Sequence, residues 1–160
     1  MQYLIERQCY LFSNNYLYYR MDVNKEYSDL GNSIIGAAFE VMKTAGKGLK
    51  EKYYESALAY ELEQRGHLVE RQVSLPALYK GVKVDDAYQA DIVIDNKVII
   101  EVKAISLMTE KECRQLVTYL KLSGYKLGYL INFGAKGFHI GNTKEPQPYK
   151  NGIYRFVNNL

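Results

Sequence analysis

The chain is predicted to form one α/β (α+β) domain in which helices flank a mixed central β-sheet. Three observations carry the prediction. Two helical-period segments come first, between residues 26 and 65. Several β-type segments follow, between residues 67 and 105. A third helix then precedes another apolar strand, "LGYLINF". The order ααβββαβ, followed by short strands, suits a mixed sheet with helices packed against it.

From about Glu26, the residues Tyr27, Leu30, Ile34, Ile35, Ala38, Val41 and Met42 recur at helical spacing. Gly46 and Gly48 stop that helix, as glycines after a periodic run do. A second helix is expected from Glu51 to Arg65, with Tyr54, Leu58 and Leu62 on its core face and Gly66 after it. "HLVERQVSL" and "ALYKGVKV" then read as β-type, with Gly81 in a turn. The third helix is announced by Thr109 and Glu112, a Thr-x-x-Glu capping box. It carries Leu116, Val117 and Leu120 and ends before Gly124. "GFHIGN" reads as a shorter strand and "GIYRFV" as the closing one. Residues 1–20 differ in texture, aromatic and Asn-rich, and residues 1–25 read as an N-terminal extension: an extra strand or an upstream run-on. Residues 26–160 read as a single domain without repeats or linkers.

A length of 160 residues supports one real core, and 48% hydrophobic with 24% charged residues is globular. A net charge of +3 is mild and announces no partner by itself. Cys9 and Cys113 are the only cysteines and lie far apart, which argues against a disulfide scaffold and a thiolate zinc site and suits a cytoplasmic setting. His67 and His139 are too isolated for a histidine-built metal centre. No apolar run reaches the roughly 20 residues that span a bilayer, so no membrane partner is expected. Sixteen tyrosines without tryptophan fit half-buried strand positions better than base stacking.

The informative stretch is "DIVIDNKVIIEVKAI", residues 91–105. Its second strand is apolar on both faces, as a central buried strand is, yet it contains Glu101 and Lys103. These share a face, being two apart. A two-residue loop at Asp95-Asn96 would pair Asp91 with Ile100 and turn it away from Glu101. A three-residue loop, Asp95 to Lys97, would set Asp91 opposite Glu101. Both registers are open to this sequence. In the second, two carboxylates face each other in a dry place, and Lys103 neutralises only one of them. A divalent cation with oxygen ligands, Mg²⁺ or Mn²⁺, resolves that conflict. The competing explanation is a structural Glu101–Lys103 ion pair. Gln115 and Tyr119 share one helical face, although Tyr119 alone reads more simply as core. Glu51 either favours the helix start through the dipole or supplies a third acid.

"GLKEKYY", "ESALAYELEQRGHLVERQ", "ADIVIDNKVIIEVKAI" and "QLVTYLKLSGYKLGYLINFG" together resemble the GxxExxY protein family of the PD-(D/E)xK nuclease superfamily. The resemblance covers about residues 27–140 and implies a restriction-endonuclease-like core. It also implies a Mg²⁺- or Mn²⁺-dependent nuclease acting on nucleic acid, DNA in the first place. By that likeness Asp91, Glu101 and Lys103 are the hairpin residues of the site, and Glu51 is the helix-borne acid, ahead of Glu55, Glu61 and Glu40. Gln115 and Tyr119 match the Gln-x-x-x-Tyr motif of exonuclease-type branches. The metal set is then Glu51, Asp91 and Glu101, with catalysis shared by Asp91, Glu101, Lys103, Gln115 and Tyr119. Lys43, Lys47, Lys50 and Lys52 could contact phosphates or form a solvated loop. Two features depart from the family: "AGKGL" has Lys47 where a proline is usual, and the first 20 residues have no counterpart. The rival from another class is a non-catalytic binding or regulatory module on the same fold.

Overall fold

A computed structural model describes residues 25–84, 88–140 and 152–158. Of the expected N-terminal extension only Lys25 falls among them. It opens helix α1, Lys25–Ala45, which buries Leu30, Ile34, Ala37, Ala38 and Val41 along one stripe. Gly46 takes φ +70° and its N–H bonds the Met42 carbonyl at 2.9 Å. Helix α2, Glu51–Gln64, buries Tyr54, Glu55, Leu58, Ala59 and Leu62.

Strands β1 (Val69–Ser74), β4 (Gln89–Ile94), β5 (Val98–Lys103), β6 (Leu127–Asn132) and β7 (Ile153–Val157) form one sheet in the order β1-β4-β5-β6-β7. Only β5 and β6 run parallel, joined through helix α3, Glu110–Ser123. Strands β2 (Leu78–Tyr79) and β3 (Val82–Lys83) form a separate ribbon between β1 and β4. This is the expected mixed sheet between helices, consistent with a restriction-endonuclease-like core.

The double-sided apolar character of β5 now has its cause. Val98, Ile100 and Val102 pack toward α1 and α2, with Ile92 and Ile94. Ile99 packs toward α3, with Val93, Leu116 and Leu120. Helix α3 begins at the predicted capping box: the Thr109 hydroxyl accepts from the Lys111 N–H, and the Glu112 carboxylate accepts from the Thr109 N–H at 2.7 Å. Gly124 ends it at φ +74°.

Of the "GFHIGN" segment, the described residues 137–140 do not form the strand expected of them. Among its described residues, Ile140 makes an isolated bridge to Ile153, and the rest is irregular. Phe138 is the reason: its ring stacks 5.2 Å from Phe133 and meets Phe39 edge-on at 5.5 Å. The segment plugs the core instead of extending the sheet.

Candidate active site

The turn of the β4–β5 hairpin decides where Asp91 goes, and it is the three-residue one. Ile94 pairs with Val98, Val93 with Ile99 and Ile92 with Ile100. Asp95 and Asn96 take left-handed φ of 50° and 53°, which these residue types bear better than Lys97 would. The Lys97 N–H closes the turn on the Ile94 carbonyl at 2.9 Å. Its tip is anchored. The Asp95 carboxylate accepts from the Leu68 N–H and from His67 Nδ1, both at 2.8 Å. His67 Nε2 lies 2.7 Å from the Ser33 hydroxyl of α1, and Tyr125 donates to the Asn96 side chain at 2.6 Å.

One step past the Ile92–Ile100 pair, carboxylates replace main-chain pairing. The Asp91 N–H donates to Glu101 Oε1 at 3.2 Å, and the Val102 N–H donates to Asp91 Oδ2 at 2.9 Å. On the other flank the β1–β4 ladder pairs Arg71 with Ile92 and Val73 with Ala90, skipping Gln72 opposite Asp91. Gln72 sits at φ 53°, a backbone strain of about 1–3 kcal/mol for such a residue. Asp91 is thus flanked on both sides by interrupted ladder.

Glu101 is only 1% exposed, and Lys103 Nζ lies 3.6 Å from its Oε2. The ion pair expected on the structural reading therefore exists, but it does not settle the charge. Burial, reinforced by the Asp91 carboxylate, raises the Glu101 pKa to about 8 despite the attraction of Lys103. Burial also raises the pKa of Asp91, against the Val102 N–H and Lys103. Two carboxyl groups share one lysine, and burial opposes ionising both of them.

Helix α2 brings two further acids, and they differ. Burial alone would raise the Glu55 pKa, but hydrogen bonds from Arg71, Gln72 and Lys52 together hold it below the ordinary value. Those contacts run from 2.8 to 3.3 Å. Gln72 also reaches Asp91 Oδ1 at 3.4 Å, linking Glu55 to the hairpin. Glu51 is exposed at the helix start. Desolvation by its surroundings raises its pKa, while Lys103 and a hydrogen bond from the Ala104 backbone pull it down and Asp91 pushes it up. Glu51 therefore lies within electrostatic reach of Asp91 and Lys103, whereas Glu55 is engaged by three donors. Glu40 is engaged elsewhere, with Thr44 and Lys43 on α1. Glu61 lies ten positions along α2 from Glu51, about 15 Å at the helical rise.

The loop before Glu51 is held by Tyr54. Its hydroxyl donates to the Gly46 carbonyl at 2.8 Å and accepts from the Leu49 N–H at 3.2 Å, while its ring stacks on Phe133 at 4.5 Å. Gly48 supplies a φ of +91° within that loop. Spacing placed Tyr54 on the core face. Its polar task, like those of Gln72 and Arg71, left no signal, because each depends on partners that only the fold brings near.

On α3, Gln115 donates to the Tyr119 hydroxyl at 2.8 Å. Tyr119 is buried, and desolvation raises its pKa, opposed by Gln115 and reinforced by the charges of Glu101 and Asp91. The Gln-Tyr pair therefore lies within electrostatic reach of the hairpin acids. Of the lysines near α2, Lys43 pairs with Glu40, Lys52 with Glu55, and Lys47 donates to the Lys136 carbonyl at 2.7 Å. Lys50 takes the N-cap position without a side-chain cap bond.

Among the described residues no three His, Cys, Asp or Glu side chains converge as a ready-made metal cage. The donor chemistry nevertheless fits a hard divalent cation: two carboxyl groups whose ionised forms burial disfavours, with one lysine beside them. No helix among the described residues is long and apolar enough to cross a membrane. No curated protein and no solved structure matches the chain. A family model of the PD-(D/E)XK nuclease superfamily matches residues 28–142, a span that contains α2, the β4–β5 hairpin and α3. The chain belongs to the PD-(D/E)XK nuclease superfamily.

Proposed function

We propose that this protein is a metal-dependent phosphodiesterase of the GxxExxY type acting on nucleic acid, DNA in the first place. One observation carries the reading: Asp91 and Glu101 are held together beside Lys103 in an otherwise apolar strand pair, where burial opposes ionising both carboxyls. Asp91, Glu101 and Glu51 would hold Mg²⁺ or Mn²⁺. When bound, such an ion lowers the pKa of a ligated water and stabilises charge on phosphoryl oxygens.

The chain's own residues do the rest. Lys103, tethered by Glu101, offers its ammonium to developing negative charge on the phosphoryl oxygens or orients the attacking water. Gln115 fixes the Tyr119 hydroxyl at the edge of the acidic group, where it can position the substrate backbone. Glu55 and Gln72 steady Asp91 from the far side. Val93 and Ile99 keep the floor of the site dry.

The test is a cleavage screen with Mg²⁺ and Mn²⁺ over linear, circular and single-stranded DNA and RNA, with Lys103→Ala as control. Cleavage lost in that variant supports the reading; cleavage unchanged in it identifies a contaminant. A second reading, a non-catalytic binding module, draws on the lack of three convergent ligands among the described residues. Mn²⁺ that fails to raise the melting temperature of the native chain would favour it.

A further inference from the structure

Two loops meet beside the acidic group, and each carries exposed lysines. The first, 46–50, joins α1 to α2 and holds Lys47 and Lys50; the second, 134–139, leaves β6 and holds Lys136. Lys47 Nζ reaches across and donates to the Lys136 carbonyl at 2.7 Å. Aromatic rings tie the same loops from beneath. Tyr54 stacks on Phe133 at 4.5 Å, Phe133 on Phe138 at 5.2 Å, and Phe138 meets Phe39 of α1 at 5.5 Å. The lip so formed borders the site. The Phe133 N–H donates to the Lys103 carbonyl at 2.8 Å, and Glu51, which follows Lys50 directly, accepts from the Ala104 backbone.

The positive charge of the lip survives a full count. Glu40 is answered by Lys43, and Glu55 by Lys52 and Arg71, while Asp91 and Glu101 share Lys103 inside the strand pair. Glu51 is then the one carboxylate in residues 46–54, set against Lys47 and Lys50. Residues 133–143 carry Lys136 and no carboxylate, and the chain beyond adds Lys144 and Lys150 against Glu145. Among the described residues no ion pair occupies Lys50 or Lys136. Gathering exposed ammoniums costs the fold their mutual repulsion, which an anion removes. The edge is also open. Gly46 and Gly48 take φ of +70° and +91°, and a Cβ on either would meet nothing within 4 Å. Tyr54 meanwhile fixes the backbone between them through the Gly46 carbonyl and the Leu49 N–H.

We infer that Lys47, Lys50 and Lys136 form a lip that seats the phosphodiester backbone of nucleic acid alongside the acidic group. The inference deepens the nuclease reading and rests on it for the cleavage step, but not for the binding. A fixed, open, cationic edge suits a polymer with an anion at every repeat. Ammonium groups meet phosphates without reading bases, so the seat is indifferent to sequence. A strand held there passes Glu51, the acid that the first loop delivers.

The test measures binding of a labelled short duplex by fluorescence anisotropy across a salt series, with the full chain in EDTA so that nothing is cut. Lys50→Ala and Lys136→Ala should each flatten the slope of log K against log salt by about 0.9, and together by about 1.8. At about 0.15 M salt the double variant should bind about tenfold or more weakly. Lys136→Arg, which keeps the charge, should bind as the native chain does. Lys121→Ala removes the same charge from α3, on the other face of the sheet, and should leave the slope unchanged. A duplex of scrambled sequence should give the same results. The melting temperature should hold, because neither Lys50 nor Lys136 lends its side chain to the Lys47 contact. An unchanged slope in the double variant, an equal loss in Lys121→Ala, or no binding at low salt overturns the inference. Anionic lipid vesicles that displace the probe better than unlabelled duplex at equal phosphate would make the lip a membrane contact and overturn it too. If binding behaves as stated but no metal supports cleavage, the nuclease reading fails and the lip stands; cleavage with an unchanged slope is the reverse.

Discussion

Glu101→Gln separates a metal-ready acid pair from a structural ion pair, and the sign of one pH dependence decides. Moving the Glu101 carboxyl from its ordinary 4.5 to about 8 corresponds to about 5 kcal/mol against its ionised form in the folded chain. A carboxyl raised in this way contributes most below its unfolded value, and that contribution is lost as pH climbs toward its folded value. The native chain should therefore lose stability between about pH 5 and about pH 8.5, and the glutamine variant, with nothing to ionise there, should not. Their stability difference should shift by about 3–4 kcal/mol across that window in favour of the variant. Any fixed cost of the substitution, such as an amide left near Lys103, cancels from the shift. Urea unfolding in EDTA at several pH values measures it. If the difference instead stays flat across that window, Lys103 holds Glu101 ionised throughout, the pair is structural, and the charge argument for a metal is refuted.

Three other perturbations test the scaffold around the acids. Gln72→Leu removes the hydrogen bonds to Glu55 and Asp91; it should cost about 1–2 kcal/mol in urea unfolding and lower Mn²⁺ affinity, measured by calorimetry. Tyr54→Phe keeps the stack on Phe133 but loses both hydroxyl bonds of the 46–49 loop. A loss of about 1 kcal/mol is expected, with a fall in cleavage rate larger than that stability loss would produce. Gly134→Ala would place a Cβ 2.6 Å from the backbone N and O of Ile105, where nothing can step aside. It should destabilise by about 1–3 kcal/mol in thermal unfolding, and a neutral result would mean that the exit from β5 is looser than described.

What could be read from the sequence was local. The capping box at Thr109, Gly124 after α3 and the periodic stripe of α1 each depend on residues within a few positions, and each lies where it was expected. The double-sided apolar run at Val98–Val102 gave away a central strand because burial on both faces leaves no freedom of composition. Gln72 was invisible by the same logic: its partners stand 17 and 19 positions away, and nothing near it marks a left-handed glutamine. "GFHIGN" misled because Phe138 is apolar for packing against Phe133, not for strand alternation. For the acids, composition raised the conflict of charge, but Glu51 and Glu55 are distinguished only by the donors that tertiary structure delivers to one of them.

The three-residue hairpin loop behaves as a reading frame. Adding or removing one residue between Ile94 and Val98 would exchange the faces of β4 relative to β5. The core would barely object, because Ile92, Val93 and Ile94 on one strand and Val98, Ile99 and Ile100 on the other are apolar whichever way they point. Asp91 alone would be misplaced. Hydrophobic patterning, which keeps register in most sheets, is silent here, so the frame is kept by the polar line from Ser33 through His67 to Asp95 and by Tyr125 on Asn96. Insertions of two residues in this loop should be tolerated where single ones are not, and the polar group around His67 at the turn becomes the proofreader of the acids' alignment.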